Sequence, residues 1–295
     1  MRIMRVGLCL AAALVFWSLR AEASLAASSY TLTTIEHPGD GVWATFTTGI
    51  NNRGDIVGGY ISPPTGHNFL MRRGTFIELP LSGAGGCNDR GDLVGGYADE
   101  EGITHGYLAR GGDYELTIFD AFGSDYTQPR DVNESGTVVG FWHRIEDDTY
   151  HGFVWDKGVI SEISISGATN TYITGINARG DMVGLWEDAN MNRYGFALLH
   201  RQFIDLDALF KTHLEPYGIN DMGQIVGTYD ESGTAHGLLL AGGTITAIDS
   251  PGAIEGSTVV LGINSVGQIV GNYRAAYPDG HVARHGFLGQ PGNEK

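Results

Sequence analysis

Five histidines recur at one place in a repeating pattern, and they are the first side chains to weigh for chemistry. They stand in His67-Asn68-Phe69, His105-Gly106-Tyr107, His151-Gly152-Phe153, His236-Gly237-Leu238 and His285-Gly286-Phe287. Tyr194-Gly195-Phe196 takes the same place in the one remaining copy. Imidazole titrates near neutral pH and ligates metals. A metal site, however, needs two or three ligands converging within a few ångströms, which one histidine per repeat does not readily supply. The pattern therefore points to an internal hydrogen bond that every repeat needs. His143, His200, His213 and His281 fall outside it and are better placed for a special role.

The stretch just before these positions is acidic in five of the six copies and differs from copy to copy. It holds Asp99, Glu100 and Glu101, then Glu146, Asp147 and Asp148, then Glu187 and Asp188, then Asp230 and Glu231, and finally Asp279. Variable loops on a uniform scaffold are where repeat proteins place binding, so the first ten of these residues are the candidate ligand contacts. Their chemistry suits a glycan, a peptide or a cationic ligand. Ca²⁺ is the one metal they would favour, since it takes several carboxylate and carbonyl oxygens. No D-x-D-x-D-G loop is present, so no cofactor is expected. Nor is there a G-x-S-x-G elbow, an H-E-x-x-H helix, a phosphate-binding glycine loop or a CxxC pair. Arg-Gly-Asp occurs at 53–55, 90–92 and 179–181, the tripeptide of adhesion loops. The glycine is demanded by a turn, and the other copies carry Ser135-Gly136-Thr137, Met222-Gly223-Gln224 and Val266-Gly267-Gln268 in its place.

The elements that must hold these residues repeat six times. Gly49-Ile50-Asn51-Asn52-Arg53-Gly54-Asp55-Ile56-Val57-Gly58-Gly59-Tyr60 returns with its asparagine at 88, 133, 177, 220 and 264, in steps of 37 to 45 residues. Period-two alternation gives four strands per copy. Strand a ends at the Gly-Ile pair, Asn-x-x-Gly makes the turn, strand b follows, strand c starts at the histidine, and strand d is a last alternating run. The asparagine can bond its own turn and the glycine tolerates positive φ. In strand b the middle position is always glycine (58, 95, 140, 184, 227, 271), and two residues on comes an aromatic ring: Tyr60, Tyr97, Trp142, Trp186, Tyr229 or Tyr273. Glycine there leaves room for a large ring, which places these aromatics in the packing between sheets. A sugar-stacking platform is the alternative.

Four short antiparallel strands in each unit of about 40–45 residues mark a propeller blade. The sixth copy breaks off after Leu288 with no strand d, while Thr31-Leu32-Thr33-Thr34-Ile35-Glu36-His37-Pro38-Gly39 matches Thr244 to Gly252, the strand d and exit of copy five. The reading is an all-β, six-bladed β-propeller of four-stranded antiparallel blades over 28–290, closed by the N-terminal strand joining the last blade. Residues 291–295 form a tail.

The first 23 residues read as a cleaved secretory signal peptide. Arg2 and Arg5 precede an apolar run from Val6 to Trp17, and Ala21-Glu22-Ala23 is an A-x-A cleavage signal. The run is too short to span a bilayer comfortably, and no later segment is long and apolar enough. Cys87 is then the only cysteine left, so the fold depends on its core. The net charge of −16 disfavours nucleic acid and anionic lipid and favours cationic partners. The Gly-Ile-Asn-x-x-Gly-Gln-Ile-Val-Gly stretches at 218–227 and 262–271, with the His-Gly-Phe tripeptides, resemble the bacterial HAF-type extracellular repeat family over residues 30–289. That resemblance implies export and a repeat scaffold, and supplies no activity. The expected function is a secreted or periplasmic, monomeric binding scaffold using its acidic b–c loops. The alternative is an extracellular propeller enzyme (glycosidase, lyase or lactonase type) with acids at the central channel.

Overall fold

The computed structural model describes residues 2–6, 30–111 and 114–292. The expected cleavage signal and most of the apolar run before it lie outside these residues. Two strands, β1 (Arg2–Val6) and β2 (Tyr30–Ile35), precede the repeats. Copy one gives β3 (Ala44–Ile50), β4 (Ile56–Ser62), β5 (Thr65–Arg72) and β6 (Thr75–Leu79). Copy two gives β7 (Ala84–Cys87), β8 (Leu93–Ala98), β9 (Thr104–Arg110) and β10 (Glu115–Phe119). Copy three gives β11 (Ser124–Val132), β12 (Val138–Arg144), β13 (Thr149–Asp156) and β14 (Val159–Ile165). Copy four gives β15 (Asn170–Ile176), β16 (Met182–Glu187), β17 (Arg193–Leu199) and β18 (Gln202–Asp205), followed by the one described helix, α1 (Leu206–Phe210). Copy five gives β19 (Leu214–Ile219), β20 (Ile225–Glu231), β21 (Thr234–Ala241) and β22 (Thr244–Ile248). Copy six ends the chain with β23 (Val259–Ile263), β24 (Ile269–Ala276) and β25 (Val282–Pro291). Among the described residues no helix is long and apolar enough to cross a membrane.

The architecture is all-β, a propeller-like set of antiparallel sheets. Four sheets are separate and four-stranded: β3-β4-β5-β6, β15-β16-β17-β18, β19-β20-β21-β22 and β2-β25-β24-β23. The last contains the joint expected from the sequence, with Thr33 opposite Leu288 and Thr34 opposite Phe287. The expectation of six separate four-stranded blades is corrected for copies two and three, which share one nine-stranded sheet. The link is a parallel contact between Tyr126 and Thr104. It forms because β11 runs nine residues, longer than any other strand a, and because Gly96 has no side chain to hold Gln128 and Thr104 away. The ninth strand is β1, parallel to β14.

The chain divides into two compact units, 1–20 with 85–216 and 21–84 with 217–295. Each has a core made where the faces of neighbouring sheets meet. In the first, Val139, Ile163, Ile173, Phe196 and Leu198 pack together, beside Leu108, Trp142, Phe153 and Trp155. In the second, Val226, Ile248, Val260, Ile269 and Phe287 do the same.

Three repeated devices hold the sheets. The asparagine side chain accepts hydrogen bonds from the turn, as Asn51 Oδ1 does from Arg53 N at 3.0 Å and Asp55 N at 2.9 Å. Its amide then donates to the carbonyl of the next copy's asparagine. Asn88 bonds Asn133 O and Asn133 bonds Asn177 O in one unit, and Asn220 bonds Asn264 O and Asn264 bonds Asn51 O in the other. The strand-b glycine is required by close backbone approach. A Cβ on Gly271 would lie 2.1 Å from Val259 O and 2.7 Å from the Phe287 ring, opposite a bulge in β23. The third device joins aromatic and histidine, and leads to the site.

Candidate functional site

Register sets each strand-b aromatic directly opposite the histidine of strand c: Tyr60 and His67, Tyr97 and His105, Trp142 and His151, Tyr229 and His236, Tyr273 and His285. The ring centroids stand 4.9 to 5.5 Å apart. Tyr194 keeps the contact with Trp186 at 4.6 Å, which is why copy four works without its histidine. In three copies the imidazole Nδ1 also meets the carboxylate just past strand d: Asp120 for His105 at 2.8 Å, Asp249 for His236 at 2.8 Å and Glu36 for His285 at 2.9 Å. The repeated histidines thus tie strands b, c and d together. Hydrogen bonds to Asp99 and Asp120 raise the His105 pKa above the ordinary imidazole value. Desolvation, with Arg144 nearby, lowers that of His151.

The acidic loop residues divide by use. Asp99 Oδ1 accepts from Glu101 N and Ile103 N, and its other oxygen meets His105. Asp147 bonds Arg144 and Thr149, and Asp148 bonds His143. Glu187 lies at the end of β16, buried, and holds Asn170 and Arg193. Asp188 closes its own turn through Asn190 N and Asn192 N, and Asp230 accepts from Gly233 N. Glu100, Glu101, Glu146 and Glu231 make no such closure. Among the described residues no three or more His, Cys, Asp or Glu side chains gather closely enough to hold a metal ion. The Arg-Gly-Asp turns keep their aspartates inside: Asp55, Asp92 and Asp181 are buried and ion-paired to Arg72, Arg90 and Arg179.

Of the histidines outside the pattern, His143 sits between Asp125 at 2.6 Å and Asp148 at 3.0 Å, and the Asp125 bond raises its pKa. His213 meets Asp207. His200 occupies a turn with positive φ and donates its N–H to Asp181. His281 lines a cleft.

That cleft, about 690 Å³, opens in the second unit where the β24–β25 loop meets the connection from β2 to β3. A b–c loop and a d–a connection thus meet at this cleft. On one side stand Glu36, His37 and Trp43, on the other Tyr277, His281, Arg284 and His285. Trp43 is 70% exposed, an unusual placement for so large an apolar ring. Tyr277 stacks on His281 at 4.2 Å with the rings 7° from parallel, and its hydroxyl meets His285 Nε2 at 3.1 Å. His37 stacks on Tyr60 at 3.8 Å and reaches Glu78. A second hollow of about 550 Å³ shares Glu36, Tyr277 and His285 with the first. Sequence reasoning singled out His281 here and missed Trp43, Tyr277 and Arg284. Their signal was divergence: no other d–a connection carries a tryptophan.

A separate singular residue is Asp131, which stands where the other five copies have glycine. Its carboxyl fills the space a Cβ on Gly86 would need and accepts from Val132 N at 2.8 Å and Ile176 N at 3.0 Å. Desolvation pushes its pKa up to about 7, against the pull of those two backbone donors.

No protein-family model matches the chain, and no curated protein is similar to it in sequence. Solved structures are similar in fold. A protein of unknown function from Dyadobacter fermentans is 9% identical with a TM-score of 0.52, over 88% of this chain and 99% of its own. A putative gluconolactonase is 11% identical with a TM-score of 0.50, over 90% of this chain and 93% of its own. The fucose-specific lectin from Aleuria aurantia is 12% identical with a TM-score of 0.41, over 75% and 79%. At these identities the likeness of the first two is one of fold, the propeller-like stacking of antiparallel sheets.

Proposed function

We propose that the chain is an exported binding scaffold of the HAF repeat type, a propeller-like repeat protein that takes a saccharide in the cleft beside Trp43. The observation that carries this reading is the exposed indole in a cleft of about 690 Å³, a volume ordinary for a small-ligand site. An indole face offers an apolar platform to a pyranose ring. Glu36, His281 and Arg284 surround it with groups that accept from and donate to hydroxyls.

The test is a glycan array followed by titration calorimetry with the exported chain and with Trp43→Ala. Binding should weaken by about ten-fold or more, the worth of one stacked aromatic ring. Because the ring is exposed, the fold should be unchanged. Equal binding by the variant would refute this placement of the site.

A second reading, an extracellular enzyme, is favoured by Asp131 alone, whose pKa suits an acid or base at neutral pH. Both carboxyl oxygens already accept backbone N–H groups, and this weighs against it. Hydrolysis of a lactone or glycoside that disappears in Asp131→Asn would reverse the order of the two readings.

A further inference from the structure

Arg284, on the wall of the cleft, belongs to an uncommon charge arrangement. Across the β24–β25 pair, Arg274 lies directly opposite Arg284, and both are exposed. Like charges in facing cross-strand positions destabilise a sheet. The same register position in copy four holds Glu187 opposite Arg193, bonded at 2.7 Å. Copy six thus has arginine where copy four has the carboxylate that neutralises its arginine. Neither Arg274 nor Arg284 has a carboxylate partner among the described residues, although the chain carries 34 acidic side chains against 18 basic ones. By contrast, the carboxylates near the cleft are engaged: Glu36 with His285, Asp279 with His281 and Glu78 with His37. The two arginines thus lie side by side without a carboxylate, in a protein whose net charge is −16.

We infer that the cleft selects an acidic saccharide, its carboxylate or sulfate held by Arg284, with Arg274 beside it across the strand pair, while the ring lies on Trp43. This rests on the reading of the cleft as a saccharide seat. Guanidinium groups match the planar, two-oxygen face of such anions. The bound anion supplies the negative charge that Glu187 supplies within copy four. The surrounding negative potential disfavours free polyanions at a distance, so recognition depends on contact with the two arginines rather than on long-range attraction.

The experiment compares an oligogalacturonate with its methyl ester, identical rings differing in charge, against the full exported chain, Arg284→Gln, Arg274→Glu and Trp43→Ala. The free acid should bind the unaltered chain at least about ten-fold more tightly than the ester, the worth of a charge-assisted hydrogen bond. Arg284→Gln should reduce the acid to the level of the ester and leave the ester unchanged. Arg274→Glu should do the same and raise the thermal midpoint of the ligand-free chain, since it recreates the copy-four pair. A sulfated oligosaccharide retained by the chain when the uronate is not would identify sulfate as the anion. Equal binding of acid and ester, both weakened in Trp43→Ala, would overturn the acidic selectivity and leave the seat standing. Absence of binding by acid, ester and sulfated oligomer would overturn both.

Discussion

Asp131→Gly offers a quantitative test of how the third copy departs from the repeat. The carboxyl has a pKa of about 7 in the folded chain against an ordinary 3.8. Between these values the native state holds a proton that the unfolded state has released. Stability therefore falls as pH rises through this window and is flat above it. The span corresponds to about 4 kcal/mol at full weight and roughly 2 kcal/mol if internal relaxation halves it. Replacement by the glycine of the other copies abolishes the titration. It also removes an acceptor from Val132 N and from Ile176 N, a loss of about 1 kcal/mol each and independent of pH. At about pH 4 the unaltered chain should be the more stable by roughly 2 kcal/mol, and by about pH 8 the difference should vanish or reverse. The assay is urea unfolding followed by tryptophan fluorescence across that range, reading the difference between the two proteins. His105 and His143, whose raised pKa values make stability fall as pH climbs through them, are common to both and cancel. So does His151, which acts in the opposite sense. A difference that stays constant with pH would refute the assignment of a native-state proton to Asp131.

Two further substitutions probe the repeated devices. Asn264→Ala removes the acceptor for Gln268 N and the donor to Asn51 O; with the first bond half-buried and the second buried the cost should be about 2–4 kcal/mol in chemical denaturation, and a loss under about 1 kcal/mol would show that the asparagine serves only its own turn. Tyr229→Phe deletes a buried hydroxyl with no hydrogen-bond partner, so the thermal midpoint should hold or rise, corresponding to about 0–2 kcal/mol, whereas a fall would reveal a partner for that oxygen.

What the sequence made legible follows from symmetry. A residue type that recurs in every copy answers a need of every copy, and so the turn asparagines, the strand-b glycines and the paired aromatic and histidine could all be read as parts of the scaffold. The match between residues 31–39 and 244–252 likewise located the β2–β25 joint. The shared nine-stranded sheet was not legible, because it depends on the length of β11 and one contact at Thr104. The uses of the loop acids were also hidden. Asp99, Asp188 and Asp230 look like ligand groups in a linear chain, yet each closes its own hairpin by accepting from backbone N–H groups two to four residues on, a local role that aspartate performs in any tight turn.

The cleft shows why symmetry misleads at a site. Arginine at position 274 looks unremarkable until the register sets it opposite Arg284, and its meaning comes from the copy-four pair of Glu187 and Arg193. A scaffold position can tolerate a like-charge pair only if water or a ligand screens it, and water alone gives no reason for an exposed indole in the same cleft. The repeat thus supplies its own reference state: where copies agree, the residue is holding the fold, and where one copy breaks a favourable pair that another keeps, the unmet charge points outward. By that reasoning Arg274→Glu is the decisive change, because it repairs the scaffold and removes the anion seat in a single substitution. A more stable chain that has lost its preference for acidic saccharides would separate the two roles of that position.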